Sequence, residues 1–381
     1  MNILNQLKGF NFDAPDAGSE FAALADALKL VTEGKDNATG KLKHLYSTVK
    51  DDSLKSECAV ILFDLYFAES DWKQIEFNGL LDDSSIDETN RLIARACSQA
   101  EQRFFVFPDS RLQVPIELSL TGCPVIEVLI NGHRKLFWLD TGAGMTVIPR
   151  SLAAQCDINV MDGEEMKVGN STNKNVDTEL AIIDSIEIEG LLIQNQPALV
   201  LKDEYLHLHN PKTQETVIIE GIIGWDIIQH LFLEINYSKK QAAIQEPQLQ
   251  SELKGNNLFF CGAPIVMLKA EDGSPLYFGL DTGASRSHFG RPLIAKFPHL
   301  DISKRRVHAG GIGEVKEIEA DSLSSLHVFL HETHRIELYN IREMLSDFAS
   351  FFHLDGVLGS DAAKDSSLII DYKNRRIEIT N

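Results

Sequence analysis

Phe137-Trp138-Leu139-Asp140-Thr141-Gly142-Ala143 recurs as Phe278-Gly279-Leu280-Asp281-Thr282-Gly283-Ala284, displaced by 141 positions. The same displacement relates Asn131-Gly132 to Asp272-Gly273, Thr146 to Ser287, Arg150 to Arg291, Leu152 to Leu293 and Gly169 to Gly310. Further on, Gly221-Ile222-Ile223-Gly224-Trp225-Asp226 is echoed by Gly356-Val357-Leu358-Gly359-Ser360-Asp361 at a displacement of 135, which Asn236-Tyr237 and Asp371-Tyr372 keep. At background usage a given four-residue string arises in roughly one window in 10⁵. Two copies inside matching flanks therefore read as an internal duplication. The change of displacement puts a length difference into the loops between the paired motifs.

Around this repeat the chain changes texture. Residues 1 to about 105 read as helices: Ser19 caps a segment carrying Leu24, Leu28 and Val31 that stops at Gly34. Leu42, Leu45, Tyr46 and Val49 repeat the periodicity, Ser53 opens a third helix through Cys58, Leu62 and Leu65, and Asp87 opens another through Leu92 and Ala96. Short helices with polar turns imply an αα-hairpin stack, and no fixed period supports a solenoid. From about residue 111, alternating runs such as Val125-Ile126-Glu127-Val128-Leu129-Ile130, broken by Asn-Gly and Asp-Gly turns, read as β-strands. The polar stretch from Gln245 to Glu252 reads as a linker. The expected fold is α+β and multidomain: a helical domain at 1–108, an all-β lobe at 109–245, a linker at 246–258 and a second all-β lobe at 259–381.

Composition narrows the function. The 381 residues are 44% hydrophobic and 24% charged, so the chain buries real cores. With 56 acidic against 36 basic residues the net charge is -20, which repels phosphate backbones and anionic headgroups, so neither nucleic acid nor membrane is expected as a partner. The longest basic cluster, Lys304-Arg305-Arg306, is brief and reads as a solvated strand end. No window approaches a membrane span, and Met1–Lys8 lacks the pattern of a secretory signal. Cys58, Cys97, Cys123, Cys156 and Cys261 are scattered with no CxxC pair, which points to free thiols in a reducing, cytoplasmic setting. His207 and His209 beside Asp203 and Glu204 read as a polar loop, because no further clustered ligand completes a metal site. No cofactor is expected.

An apolar strand that ends in Asp-Thr-Gly delivers a carboxylate at a turn, where glycine lets backbone amides approach the acid and the threonine hydroxyl ties down the loop. One such loop is an ordinary turn. A matched pair related by a pseudo-twofold axis brings Asp140 and Asp281 face to face. Two carboxyls about 3 Å apart cannot both ionise easily, so they share one proton and titrate together. The unprotonated partner draws a proton from a bridging water while the other donates to a scissile carbonyl oxygen. That is general acid/base hydrolysis of a peptide bond, with no acyl-enzyme and no metal. Thr146 and Ser287 are expected to bond the loop backbone. Asp226 and Asp361 are expected to cap a following helix or accept a hydrogen bond from the core, and Trp225 to pack.

Over roughly residues 111 to 381 the sequence resembles the retropepsin-like aspartic proteases within the wider pepsin group. The likeness rests on the two Asp-Thr-Gly-Ala loops and on Ile222-Ile223-Gly224 and Val357-Leu358-Gly359. In the family this second element threads beside the catalytic loop and supports it. The resemblance implies two acid-protease lobes, here fused in one chain so that the dyad forms within the molecule. It also implies glycine-rich hairpins that close over an extended polypeptide substrate. Gly310-Gly311-Ile312-Gly313 fits that pattern, and Lys167-Val168-Gly169-Asn170 fits it in part. Ala143 and Ala284 stand where many pepsins place Ser or Thr. Without that hydroxyl the dyad pKa rises, and the expected activity optimum lies nearer neutral than pepsin's.

The leading expectation is an aspartic endopeptidase. The alternative is a weak or inactive peptide-binding module that uses the protease groove while the helical domain recruits a protein partner. A two-carboxylate glycosidase fits less well, because its acids flank a sugar from non-equivalent positions and do not repeat one loop.

Overall fold

Capping chemistry sets the helix boundaries. The computed structural model describes residues 2–16, 18–35, 37–161, 163, 166–169, 175–209, 215–250, 256–311, 314–331 and 334–380. Its first hundred residues form α1 (Ile3–Lys8), α2 (Glu20–Thr32), α3 (Ala38–Thr48), α4 (Asp52–Ala68), α5 (Trp72–Phe77) and α6 (Glu88–Ser98). Ser19 Oγ accepts from Ala22 N at 3.1 Å and Asp87 Oδ1 from Asn90 N at 3.2 Å, so α2 and α6 start where their caps predict. The third of the anticipated helices opens earlier than Ser53, because the Asp51 carboxylate accepts from Leu54 N at 2.9 Å. The short α1 and α5 carry too few apolar repeats to be read from periodicity.

The remainder is mostly β-structure, which makes the chain α+β. The first sheet draws on β1 (Phe104–Val106), β2 (Leu112–Leu118), β3 (Pro124–Ile130), β4 (His133–Leu139), β5 (Thr146–Pro149), β6 (Met166–Gly169), β7 (Asn175–Ile188) and β8 (Leu191–Leu201). A small hairpin, β9 (His207–His209) with β10 (Thr216–Ile218), precedes β11 (Ile222–Ile223), β12 (Phe232–Asn236) and β13 (Gln241–Gln245). The second sheet contains β14 (Leu258–Phe260), β15 (Pro264–Lys269), β16 (Pro275–Asp281), β17 (His288–Phe289), β18 (Ile302–Gly311), β19 (Glu314–Leu330), β20 (His334–Glu343) and β21 (Gly356–Gly359). The last strands, β22 (Ser367–Asp371) and β23 (Arg376–Thr380), return to the first sheet, whose order is β23-β22-β12-β13-β2-β3-β4-β11-β5-β8-β7-β6. The second runs β14-β15-β16-β21-β17-β20-β19-β18. Extra pairings of β3 with β7 and of β15 with β19 curl each into a barrel-like shape.

The helices are not a separate body. Leu24, Leu28, Leu62 and Phe63 share one buried cluster with Phe259, Ile265, Phe351 and Phe352 of the second half. Phe10 stacks on Tyr277 at 3.6 Å and on Phe352 at 4.1 Å between ring centres. At the other end, Ile93 and Cys97 of α6 join a cluster on the first sheet with Trp138, Val147, Leu180 and Ile222. The helical span ends at Ser98, and β1, inside the stretch assigned to it from sequence, already pairs with β8. Leu258, read as the end of the linker, is a buried residue of β14. Lys304-Arg305-Arg306 lies within β18, paired to β19, and not at a strand end. All five cysteines are buried and free. Among the described residues no helix is long and apolar enough to cross a membrane.

This shared core predicts one unfolding event. Urea titrations followed by helical circular dichroism and by tryptophan fluorescence should coincide, and Phe352→Ala should lower both by about 3–5 kcal/mol. Separate transitions would show that the helices fold independently.

Candidate active site

Two apolar strands run into the aspartates. The stretch ending in β4 leads to Asp140, and β16 ends at Asp281. Beside each lies a short parallel neighbour: β11 pairs Ile222 with Trp138 and Ile223 with Leu139, and β21 pairs Leu358 with Leu280 and Gly359 with Asp281. Each neighbour also pairs antiparallel with the strand leaving the loop, β5 or β17. The support residues thread through both loops. Asp140 N donates to Ile223 O at 3.0 Å, Trp225 N to Ala143 O at 2.7 Å, and Ser360 N to Ala284 O at 2.9 Å. Gly224 and Gly359 are required by close approach: a Cβ on either would stand 2.6 Å from the backbone carbon of Met145 or Arg286.

The loops are locked together by their threonines. Thr141 N donates to Thr282 Oγ1 and Thr282 N to Thr141 Oγ1, both at 3.0 Å. The hydroxyls in turn donate across, Thr141 Oγ1 to Leu280 O at 2.8 Å and Thr282 Oγ1 to Leu139 O at 2.7 Å. Both threonines are buried at 1% exposure, so the bonds are shielded from competing water. The lock seats each carboxyl against the opposite loop. A Cβ on Gly142 would lie 2.6 Å from Asp281 Cγ, and one on Gly283 would lie 2.4 Å from Asp140 Cγ. Only glycine leaves that space.

Asp140 and Asp281 are half-buried and within hydrogen-bonding reach of each other. Gly142 N donates to Asp140 Oδ1 at 2.8 Å, and Ala284 N to Asp281 Oδ1 at 2.9 Å. Burial raises both carboxyls above the ordinary value. Asp281 goes well above it, because burial is reinforced by the charge on Asp140. The pair therefore retains a proton that an isolated carboxylate would have lost. Beneath it lies the Cys123 thiol, pushed up first by burial and then by the two aspartates. Sequence reading had not singled this residue out.

A second layer lies behind the loops. The Thr146 hydroxyl donates to Asp226 Oδ1 at 3.1 Å and that of Ser287 to Asp361 Oδ1 at 2.7 Å, so both donate to carboxylates where bonds to the loop backbone were expected. Ser287 Oγ also accepts from Gly359 N at 3.0 Å. Asp226 does not cap its helix, α7 (Trp225–Ile228), whose N-cap is Gly224. It accepts from Thr146 N at 3.0 Å and Gln196 Nε2 at 2.7 Å, the second of the two roles expected of it. Burial raises its pKa, and the positive charge of Arg103 opposes the rise. Arg103 also donates to Asp226 O at 2.8 Å and to His230 Nε2 at 2.9 Å. His230 is pushed down to about 3, by burial and then by Arg103. Trp225 is buried and packs on Phe260 and Tyr372.

Two hairpins carry the glycine-rich segments. Gly169 faces Asn175 at the open end of β6–β7, and Gly310 and Gly311 face Val315 and Glu314 in β18–β19. Asn170, Ile312 and Gly313 lie outside the described residues. The first hairpin is fastened to α6: Thr89 Oγ1 donates to Lys167 O at 3.1 Å and accepts from Lys167 N at 3.2 Å. Asp203 accepts from Ser151 N at 3.0 Å, and His209, in strand β9 where a polar loop was expected, lies 3.2 Å from Thr216 Oγ1 of β10.

Residues 126–227 match the family model described as aspartyl protease. Over that stretch the chain is similar to aspartyl proteases, which supports a protease-type, hydrolase function. Among solved structures it matches the crystal structure of a retropepsin-like aspartic protease from Rickettsia conorii. That match has 14% identity over 38% of this chain and 96% of the other, and a TM-score of 0.26 at which the superposition carries no structural argument. No curated protein matches the chain.

The raised pKa of Asp281 makes a stability prediction with a definite sign. Folding keeps a proton on a group that is ionised above its ordinary 3.8 when unfolded, so its contribution is full below that pH and is lost as pH rises through the folded value. Asp281→Asn removes this loss. In urea titrations the variant should therefore gain on wild type as pH rises from about 4 toward 7. A difference independent of pH would contradict the raised carboxyl.

Proposed function

We propose that the chain is an aspartic endopeptidase in which Asp140 and Asp281 share one proton and activate a water between them. The ionised carboxylate takes a proton from the water as its oxygen bonds to the peptide carbon. The protonated partner donates to the carbonyl oxygen. Collapse of the tetrahedral species breaks the C–N bond, and a dyad proton leaves with the amine, so no covalent enzyme intermediate forms. The observation that carries this reading is the reciprocal threonine lock, which holds two half-buried acids together in one chain.

In this reading residues 109–245 and 259–381 are two lobes related by a pseudo-twofold axis. The register of β12 with β22 supports it. Phe232 faces Asp371 and Asn236 faces Ser367, while the repeat displacement of 135 relates Phe232 to Ser367 and Asn236 to Asp371. The axis then passes through the pair Glu234 and Ile369. An extended polypeptide lies across the two loops under the β6–β7 and β18–β19 hairpins. The helical region, 1–108, fastens the first hairpin through Thr89.

Cleavage of an unstructured protein should fall by about 10²–10⁴-fold in Asp140→Asn and in Asp281→Asn. Turnover that persists in both variants would remove the dyad from the mechanism.

Turnover needs one proton on the pair. The acid limb follows the raised first ionisation and the alkaline limb the further raised second one, so both limbs lie above the ordinary carboxylate range. The pH–rate profile should peak nearer neutral, and Ala143→Thr/Ala284→Thr should move it down by adding donors to the ionised form. A wild-type optimum below about pH 4 would contradict this.

A further inference from the structure

The faces that carry the two aspartates differ in kind. Alternate residues of a strand share a face, so Asp281 lies on the same side of β16 as Gly279, with Phe278 and Leu280 on the core side. The register carries this side across the second sheet as one row. Gly279 pairs with Val357, Val357 with His288, His288 with Arg342, Arg342 with Ser322, and Ser322 with Ser303. In the first sheet the equivalent row is Val125, Trp138, Ile222, Val147, Leu199 and Leu180. That row is wholly apolar and closed over by Ile93 and Cys97 of α6.

The second face gathers cations in a chain whose net charge is -20. Arg342 is joined there by Arg305, on the same side because Arg305 faces Ala320, two residues before Ser322. Arg286, exposed and five residues after Asp281, reaches the same strand. Their hydrogen-bond partners are neutral oxygens: Arg286 Nη1 donates to Tyr339 O at 3.4 Å, Arg342 Nη1 to Glu343 O at 3.4 Å, and Arg305 to Asn340 Oδ1 at 2.8 Å and Ser324 Oγ at 3.2 Å. Among the described residues Glu343 pairs with Arg291 at 2.8 Å, and Asp361, whose charge also interacts with that of Arg286, spends its hydrogen bonds on Ser287. His288 is pushed down to about 3 by burial and by Arg342, so it stays neutral and takes up none of the charge. Nearer the dyad the wall is apolar: the Phe348 ring fills the space above Gly279, where a Cβ would stand 2.2 Å from it, and Val357 is buried beside it.

Resting on the endopeptidase reading, we propose that this face is an anion-selective subsite in which Arg286 and Arg342 bind the carboxylate of a substrate Asp or Glu side chain. Guanidinium and carboxylate match as planar, charge-assisted partners, which neutral oxygens replace poorly. Recognition is then one-sided. The first-sheet face is filled by α6, and the second-sheet face reads the acidic residue.

The test is a set of matched peptides with Glu or Gln at single positions around the scissile bond, assayed at about 0.15 M salt, where long-range repulsion is screened. At one position wild type should prefer Glu in kcat/KM by about tenfold or more, roughly 1.4 kcal/mol. In Arg286→Gln/Arg342→Gln the ratio should fall toward one, whereas Arg134→Gln/Arg150→Gln, with the same loss of two charges on the first half, should keep it. Fluorescence anisotropy of the same peptides on Asp140→Asn reads the preference without turnover. Cleavage with no Glu preference at any position overturns the subsite and leaves the dyad standing. Preferential binding of Glu peptides with no cleavage by wild type overturns the dyad and leaves the subsite. No preference in either assay, or a preference that survives the double substitution, overturns the assignment to these arginines.

Discussion

Two acids that repel one another are held in contact, and the device that holds them is the exchange of hydrogen bonds between Thr141 and Thr282. Each hydroxyl accepts an amide from the opposite loop and donates its one proton to a carbonyl on the opposite strand, so both of its bonds cross the junction. Each such bond contributes only about 1 kcal/mol net. The arrangement therefore depends on the strands behind it. Leu139 and Leu280 sit in the main core, and their carbonyls are the acceptors the hydroxyls need.

The same economy of partners recurs one layer out. Asp226 and Asp361 are carboxyls placed behind the loops, and each accepts from the hydroxyl and amide of one residue, Thr146 at the start of β5 or Ser287 just before β17. The two sides are supported differently. Asp226 has Gln196 and the half-buried Arg103 for company, and Arg103 comes from the segment joining α6 to β1. The helices are thus wired into the first loop by Arg103, into the first hairpin by Thr89, and into the second half by Phe10 and Phe63. A region that composition marks as a separate helical unit is, in its contacts, part of the floor and one wall of the site.

Much of this was legible in the sequence where short-range rules act. Ser19 and Asp87 cap helices by reaching amides three residues on, and strand alternation with paired turn glycines marked the β-half. The matched Asp-Thr-Gly loops announced two equivalent turns, and the structure brings them side by side. What stayed hidden depends on distant partners. Thr146 finds Asp226 eighty residues away, where nothing in the local string distinguishes a carboxylate from a loop carbonyl as its acceptor. Cys123 lies under the carboxyls because β3 returns beside β4, a matter of register. Lys304-Arg305-Arg306 is solvated charge as read, but that Arg305 shares its face with Arg342 depends on how β19 joins β18 to β20.

The most direct measurement is a carbon-13 carboxyl NMR titration of aspartate-labelled protein, with Asp140→Asn and Asp281→Asn used to assign the signals. The account predicts that the Asp140 and Asp281 resonances move together, report one proton held between them, and release it well above the range of ordinary carboxylates. Two independent titrations within that ordinary range, each unaffected by loss of the other residue, would contradict it.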